Sequence, residues 1–251
     1  MKAFDLTGKT ALITGGGTGL GFAMASCIIE AGGKAIITGR REEVLKEAIQ
    51  KLGPKAQYFA LDVNDKKAIP EFVSQLEKQT GGIDILINNA GINMKKSSLE
   101  TSDEEFLSII DTNLLSAFTL TREVAKFMVK RKSGSIIMIS SMAAIFGLAN
   151  VAAYSASKSA VTGMVRVLAS EYSPTGVRIN SIAPGFIDTP MLRKATDADQ
   201  DRKKKILGRT PMNSFGEDKD IGYAAVYLSS DAAKFVTGIN LVVDGGNSIG
   251  F

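Results

Sequence analysis

Thr10-Ala11-Leu12-Ile13-Thr14-Gly15-Gly16-Gly17-Thr18-Gly19-Leu20-Gly21 joins a short apolar, β-branched run to a glycine-rich turn, and the helical pattern Phe22-Ala23-Met24-Ala25 follows at once. A strand, a tight turn and a helix start therefore stand in register. Glycine lets the backbone turn sharply and come close to a pyrophosphate, while the first-turn N–H groups and the helix dipole attract an anion. The spacing is G-x-x-x-G-x-G. It is neither the commoner G-x-G-x-x-G fingerprint nor a P-loop, because no Gly-Lys-Ser/Thr follows. A plain tight turn has the same composition, so the position between a strand and a helix is what points to a bound dinucleotide.

Similar apolar runs recur at 35–38, 57–61, 84–88, 135–140, 177–182 and 239–243, separated by longer helical patterns. Strands that are hydrophobic on both faces must be covered on both sides, and their alternation with helices predicts an α/β, doubly wound, mainly parallel sheet of seven strands. The 251 residues, 45% apolar and 22% charged, suit a single domain spanning 1–251 with one large core. Between 102 and 132 the helical pattern is unusually long, and the stripe Phe106, Ile109, Ile110, Leu114 and Phe118 is suited to packing against another subunit. Charges at Arg193, Lys194, Arg202, Lys203, Lys204 and Lys205, bounded by Pro190 and Pro211, set the segment of about 186–215 apart. It reads as a variable lid over the carboxyl edge of the sheet; a solvated basic helix face has the same pattern.

Composition removes several function classes. Thirty basic against 26 acidic residues leave a net charge of +4, too small and too dispersed for a nucleic-acid partner. With no histidine and only Cys27, neither a zinc site nor a Ser-His-Asp triad can be assembled, and no metal is expected. No apolar run approaches the ~18 residues of a membrane span. A cytoplasmic protein acting on a small molecule is the expectation.

The second strand ends Thr38-Gly39-Arg40-Arg41. An acidic residue there would hold the ribose hydroxyls of NAD and repel a 2′-phosphate. Gly39 leaves room instead, and the planar fork of Arg40 suits phosphate oxygens, so NADP(H) is favoured and NAD(H) stays open. Farther on, Tyr154 and Lys158 stand four apart in a helical pattern, with Ser141 thirteen residues before the tyrosine. Neighbours at this spacing share a helix face. An adjacent ammonium is expected to lower the phenol pKa toward the range useful for acid–base catalysis. A surface tyrosine with a snorkelling lysine would look the same.

Taken jointly, these spaced motifs make the chain resemble the short-chain dehydrogenase/reductase family over its whole length. Thr14 to Gly21 matches the family's T-G-x-x-x-G-x-G, Asp62-Val63 its adenine-holding pair and Asn88-Asn89-Ala90-Gly91 its N-N-A-G. The resemblance implies a Rossmann-type fold, with Gly15, Gly17, Thr18, Gly19, Leu20, Gly21, Asn89, Ala90 and Gly91 at the cofactor. Pro184, Gly185, Ile187 and Thr189 match the segment that meets the nicotinamide carboxamide. It also implies a catalytic set: Ser141 polarising a carbonyl, Tyr154 as acid and base, Lys158 lowering its pKa and holding ribose hydroxyls, and Asn113 in a proton relay. Ser140 rivals Ser141, and only the family's spacing separates them. For Asn113 a special role is supported by asparagine's poor fit inside a long helix; a buried structural amide is the alternative.

For the substrate, the resemblance points first to sugar, polyol or sugar-acid dehydrogenases of the gluconate 5-dehydrogenase kind, with Lys95, Lys96 and Arg193 able to meet a carboxylate. The alternative is a 3-oxoacyl-acyl-carrier-protein reductase, whose two basic docking positions correspond to Lys132 and Thr175. A non-catalytic dinucleotide sensor is the remote alternative, disfavoured because all four catalytic side chains are present. The family further implies a homotetramer built on the helices 102–132 and 152–173 and on the apolar strand 239–243.

Overall fold

Strands with two hydrophobic faces are satisfied only between two helical layers, and the computed structural model, which describes residues 1–189, 192–193 and 199–250, has that construction. The strands are β1 (Thr10–Thr14), β2 (Lys34–Gly39), β3 (Ala56–Ala60), β4 (Ile85–Asn88), β5 (Gly134–Ile139), β6 (Val177–Pro184) and β7 (Asn240–Val243). Their order is β3-β2-β1-β4-β5-β6-β7, with every neighbouring pair parallel. All seven expected strands are present, with bounds that differ by no more than two residues.

Helices α1 (Gly19–Glu30), α2 (Glu42–Leu52) and α8 (Asp218–Ser229) cover one face; α3 (Ile69–Thr80), α5 (Ser116–Arg131) and α6 (Ala152–Tyr172) cover the other. The period-two alternation of strands divides the core between them. Ala11 and Ile13, Ala35 and Ile37, Ile85 and Ile87, and Ile137 and Ile139 point to the first layer. Leu12, Ile36, Leu86, Ile136 and Met138 point to the second. The sheet grows outward in opposite directions from β1 and β4, so the loops leaving their carboxyl ends diverge. A doubly wound sheet binds its ligand in the crevice opened at such a switch point.

The expected long helix over 102–132 is not uniform. A capping box at Ser102 starts α4 (Asp103–Ile110), a π-helical turn spans Asp111–Leu115, and α5 continues to Arg131. The wider turn is the difference from expectation, and it holds Asn113. Of the predicted apolar stripe, Ile109 is buried while Phe106, Ile110, Leu114 and Phe118 are half-buried; the exposed apolar side chains there are Leu107 and Leu115. Within the expected lid lies the helix α7 (Gln200–Arg209). Pro190 and Lys194 lie outside the described residues.

Candidate active site

A cleft of about 810 Å³ opens at the carboxyl ends of β1, β2 and β4. One wall is the glycine turn: Gly15, Gly17, Thr18, Gly19 and Leu20 line it. Gly15 has φ +64°, a left-handed conformation that side chains rarely adopt. Gly21 does not reach the cleft lining; a methyl group there would collide with the Gly15 carbonyl, so its absence lets the helix start against the turn. The α1 N-terminus has no side-chain cap and no acidic residue in its first turn. Its N–H groups are thereby left to an anion.

The turn and the N-N-A-G segment brace each other. The Thr14 hydroxyl accepts from the backbone N–H groups of Asn89 and Ala90 at 3.0 Å each. Asn89 Nδ2 donates to the carbonyls of Thr14 at 2.9 Å and Gly15 at 3.2 Å. Asn89, Ala90 and Gly91 then line the cleft opposite the glycines.

At the other end of the cleft stand Gly39, Arg40, Asp62 and Val63, as expected, together with Thr38, Arg41 and Asn64. An Asx turn orients Asp62: its Oδ1 accepts from Asn64 N–H at 3.0 Å. The Thr38 hydroxyl is fully buried and, like Asn64 Oδ1, has no partner among the described residues. Orphaned polar atoms facing a cleft are what a bound polar ligand relieves. The glycine cradle, the uncapped helix start, the adjacent arginines and these orphans together fit a nicotinamide dinucleotide.

The side chains expected to be catalytic meet where β5, α6 and the π-helical turn converge. Tyr154 and Lys158 share one face of α6, with the lysine Nζ 5.6 Å from the phenol ring centroid, and both line the cleft. Ser141, just past β5, brings its hydroxyl close enough to bear on the Tyr154 phenol and accepts from Ala143 N–H at 3.1 Å. Ser140 turns the other way and donates to the Lys158 carbonyl at 3.3 Å. Ser141 is thus the serine that faces the tyrosine.

Lys158 is 4% exposed and donates to the Ile139 carbonyl at 2.7 Å. Burial pushes its ammonium down to about 8. Burial also pushes the Tyr154 phenol above its ordinary value, and the bond with Ser141 offsets only part of this. The expectation that Lys158 lowers the tyrosine pKa is therefore corrected. In this cleft, loss of water around both groups outweighs their mutual effect.

Asn113 is 2% exposed and lies off the cleft lining. Its Oδ1 accepts from Ile92 N–H at 2.8 Å; its Nδ2 donates to the Ile92 carbonyl at 2.9 Å and to Ser157 Oγ at 3.1 Å. Ser157 in turn donates to the Tyr154 carbonyl at 2.7 Å. The amide is a strut between the N-N-A-G loop and α6.

Other expected contacts fall elsewhere. Thr189 lines the cleft, whereas Pro184 ends β6, Gly185 abuts Asp244, and Ile187 is buried beside Gly216. Lys96 does not present its charge to a substrate: both Glu105 carboxylate oxygens hold it at 2.8 Å. Arg193 forms a two-point pair with Asp188, at 2.7 and 3.0 Å. Lys95 remains exposed. Residues that sequence reasoning missed at the cleft include Ser108, Thr112 and Ile139.

A family model described as Enoyl-(Acyl carrier protein) reductase matches residues 15–248. The 2-dehydro-3-deoxy-D-gluconate 5-dehydrogenase of Pseudoalteromonas atlantica is 37% identical over 98% of both chains. The 3-oxoacyl-[acyl-carrier-protein] reductase of Escherichia coli is 36% identical, over 96% of this chain and 98% of the relative. Among solved structures, a gluconate 5-dehydrogenase from Burkholderia cenocepacia in complex with NADP and tartrate superposes with a TM-score of 0.94. It is 31% identical and matches 100% of this chain and 99% of its own.

Proposed function

The chain belongs to the short-chain dehydrogenase/reductase family, oxidoreductases of CH–OH groups, and from that premise we propose that it interconverts a secondary alcohol of a sugar acid and the corresponding ketone with NADP(H). The observation that carries the mechanism is Tyr154 and Lys158 side by side on the cleft lining, with Ser141 behind the tyrosine. The nicotinamide dinucleotide supplies or accepts the hydride. The Ser141 hydroxyl oxygen is held by Ala143 N–H, and its hydrogen would turn from Tyr154 to the substrate oxygen. Tyr154 delivers its proton to that oxygen as the ketone is reduced, and a phenol held protonated by burial suits this direction. Lys158 would hold the ribose hydroxyls of the bound cofactor and return a proton toward Tyr154. Asn113 enters the proton path as a positioning residue, through Ile92 and Ser157.

For the cofactor, the glycine wall and the α1 N-terminus would hold the pyrophosphate, Asp62 and Val63 the adenine, and Arg40 with Arg41 a 2′-phosphate. Gly39 carries the preference. A side chain begun there would touch only Leu45, at 3.5 Å, so a carboxylate fits without strain. A Gly39→Asp, Arg40→Leu double variant is expected to lower the NADPH-to-NADH ratio of kcat/KM by about ten- to a hundredfold, the worth of charge-assisted hydrogen bonds to phosphate. An unchanged ratio would defeat the assignment.

The sugar-acid substrate is supported by the gluconate-type relatives. The acyl-carrier reductase is an equally similar relative, but where a second cation would join Lys132 stands Thr175, its hydroxyl donating to the Tyr172 carbonyl at 2.6 Å. A docking surface for an acidic carrier loses encounter rate when such a charge is missing. Following NADPH oxidation with keto-sugar acids, ketoses and acetoacetyl thioesters tests the choice. The keto-sugar acids are expected to show the highest kcat/KM; a preference for the thioester would select the second reading.

A further inference from the structure

Arg209, the last residue of α7, joins three segments that are far apart in the chain. Its guanidinium lies over the Phe146 ring, 4.3 Å from the centroid. Its Nε donates to the Asn247 carbonyl at 3.0 Å. Asn247 is fully buried and donates through Nδ2 to Thr210 Oγ1 at 2.8 Å and to the Ile206 carbonyl at 3.4 Å, so the segment 244–250 grips the end of α7. That segment is itself fixed, because the Asp244 carboxylate accepts from Gly246 and Ser248 N–H at 2.8 and 2.7 Å. Phe146 belongs to the connection that leaves Ser141 and returns at α6, just before Tyr154.

We propose that Arg209 is a positioning residue for the reaction: by stacking on Phe146 from an anchored helix end, it holds the connection between Ser141 and Tyr154 in place over the substrate end of the cleft. Only a planar guanidinium can lie flat on a ring and donate sideways to a carbonyl at once; a lysine ammonium keeps the charge and loses the geometry. Lys158 is held separately by the Ile139 carbonyl, and Ser141 by Ala143 N–H in the short turn Met142–Ala144, ahead of the stretch that Phe146 pins. Loosening the connection therefore weakens substrate binding more than the chemical step. The inference rests on the reading of Ser141 and Tyr154 as the reacting end.

Hydrogen exchange of the backbone amides of 142–151, measured by mass spectrometry on the full chain, tests it without any substrate. Arg209→Met, Arg209→Lys and Phe146→Leu are each expected to speed exchange about two- to fivefold, the scale of an exposed cation–π contact. Phe146→Tyr, which keeps the ring, should exchange like the wild type. The Arg209→Met, Phe146→Leu double variant should exchange no faster than either single one. With the best substrate of the panel, KM should rise by a similar factor while kcat and the NADPH dissociation constant stay within about twofold. Unchanged exchange in Arg209→Met, or additive effects in the double variant, would overturn the proposal. If the panel yields no substrate, the functional reading fails while exchange still decides the role of Arg209.

Discussion

Tyr154→Phe is expected to lower kcat for ketone reduction by about a thousandfold, within the range that one positioned general acid contributes. The substitution removes a single oxygen from a half-buried side chain and leaves the ring, the α6 backbone and the Lys158 contact with Ile139 untouched. NADPH binding should therefore remain within about twofold of the wild type, so the loss falls on chemistry and not on occupancy. Steady-state rates alongside a fluorescence titration of NADPH separate the two. A variant that kept more than a tenth of wild-type kcat would remove Tyr154 from its proposed role.

Lys158→Met is expected to do two opposite things. Turnover should fall by at least about a hundredfold, because the proposed ribose contact and proton return are both lost. Stability at neutral pH should rise. A lysine whose pKa falls from 10.5 to about 8 on folding carries a penalty of about 3 kcal/mol below pH 8. Methionine relieves it and gives back part by leaving the Ile139 carbonyl without a donor. The net gain of about 1–2 kcal/mol corresponds to a rise in Tm of about 5 °C for a chain of this size. The sign follows from proton counts. Between pH 8 and 10.5 the folded wild type binds fewer protons than the unfolded chain, so its stability climbs with pH there and the advantage of the variant shrinks. Calorimetry at pH 7 and pH 9.5 checks both statements, and an equal difference at the two pH values would contradict them. In the wild type, kcat/KM for reduction should fall as pH rises through about 8, where Lys158 loses its charge while Tyr154 is still protonated.

The strands and the glycine turn were legible because their signals are local. A strand with Leu12 on one side and Ala11 and Ile13 on the other needs two covered faces wherever it is placed. A turn such as Gly15 needs a backbone that other residues resist. Placing Tyr154 and Lys158 together needed only helical spacing. Asn113 was legible as an oddity inside a helix, but not as a strut: the π-helical turn that holds it and its partners Ile92 and Ser157 come from separate elements. Lys96 looked free to meet a carboxylate until folding brought Glu105 to it. Nothing near Arg209 in the chain announces Phe146 or Asn247.

The sequence by itself determined the doubly wound sheet and the glycine turn at the carboxyl end of its first strand, since each follows from backbone preference or short spacing. Only the tertiary structure decided the charge of the reacting pair. The adjacency of Tyr154 and Lys158 suggested a phenol made more acidic, yet the water removed by several distant segments raises the phenol and drives the ammonium down to about 8. Desolvation sums over every atom that surrounds a group, and those atoms are assembled only when the chain has folded.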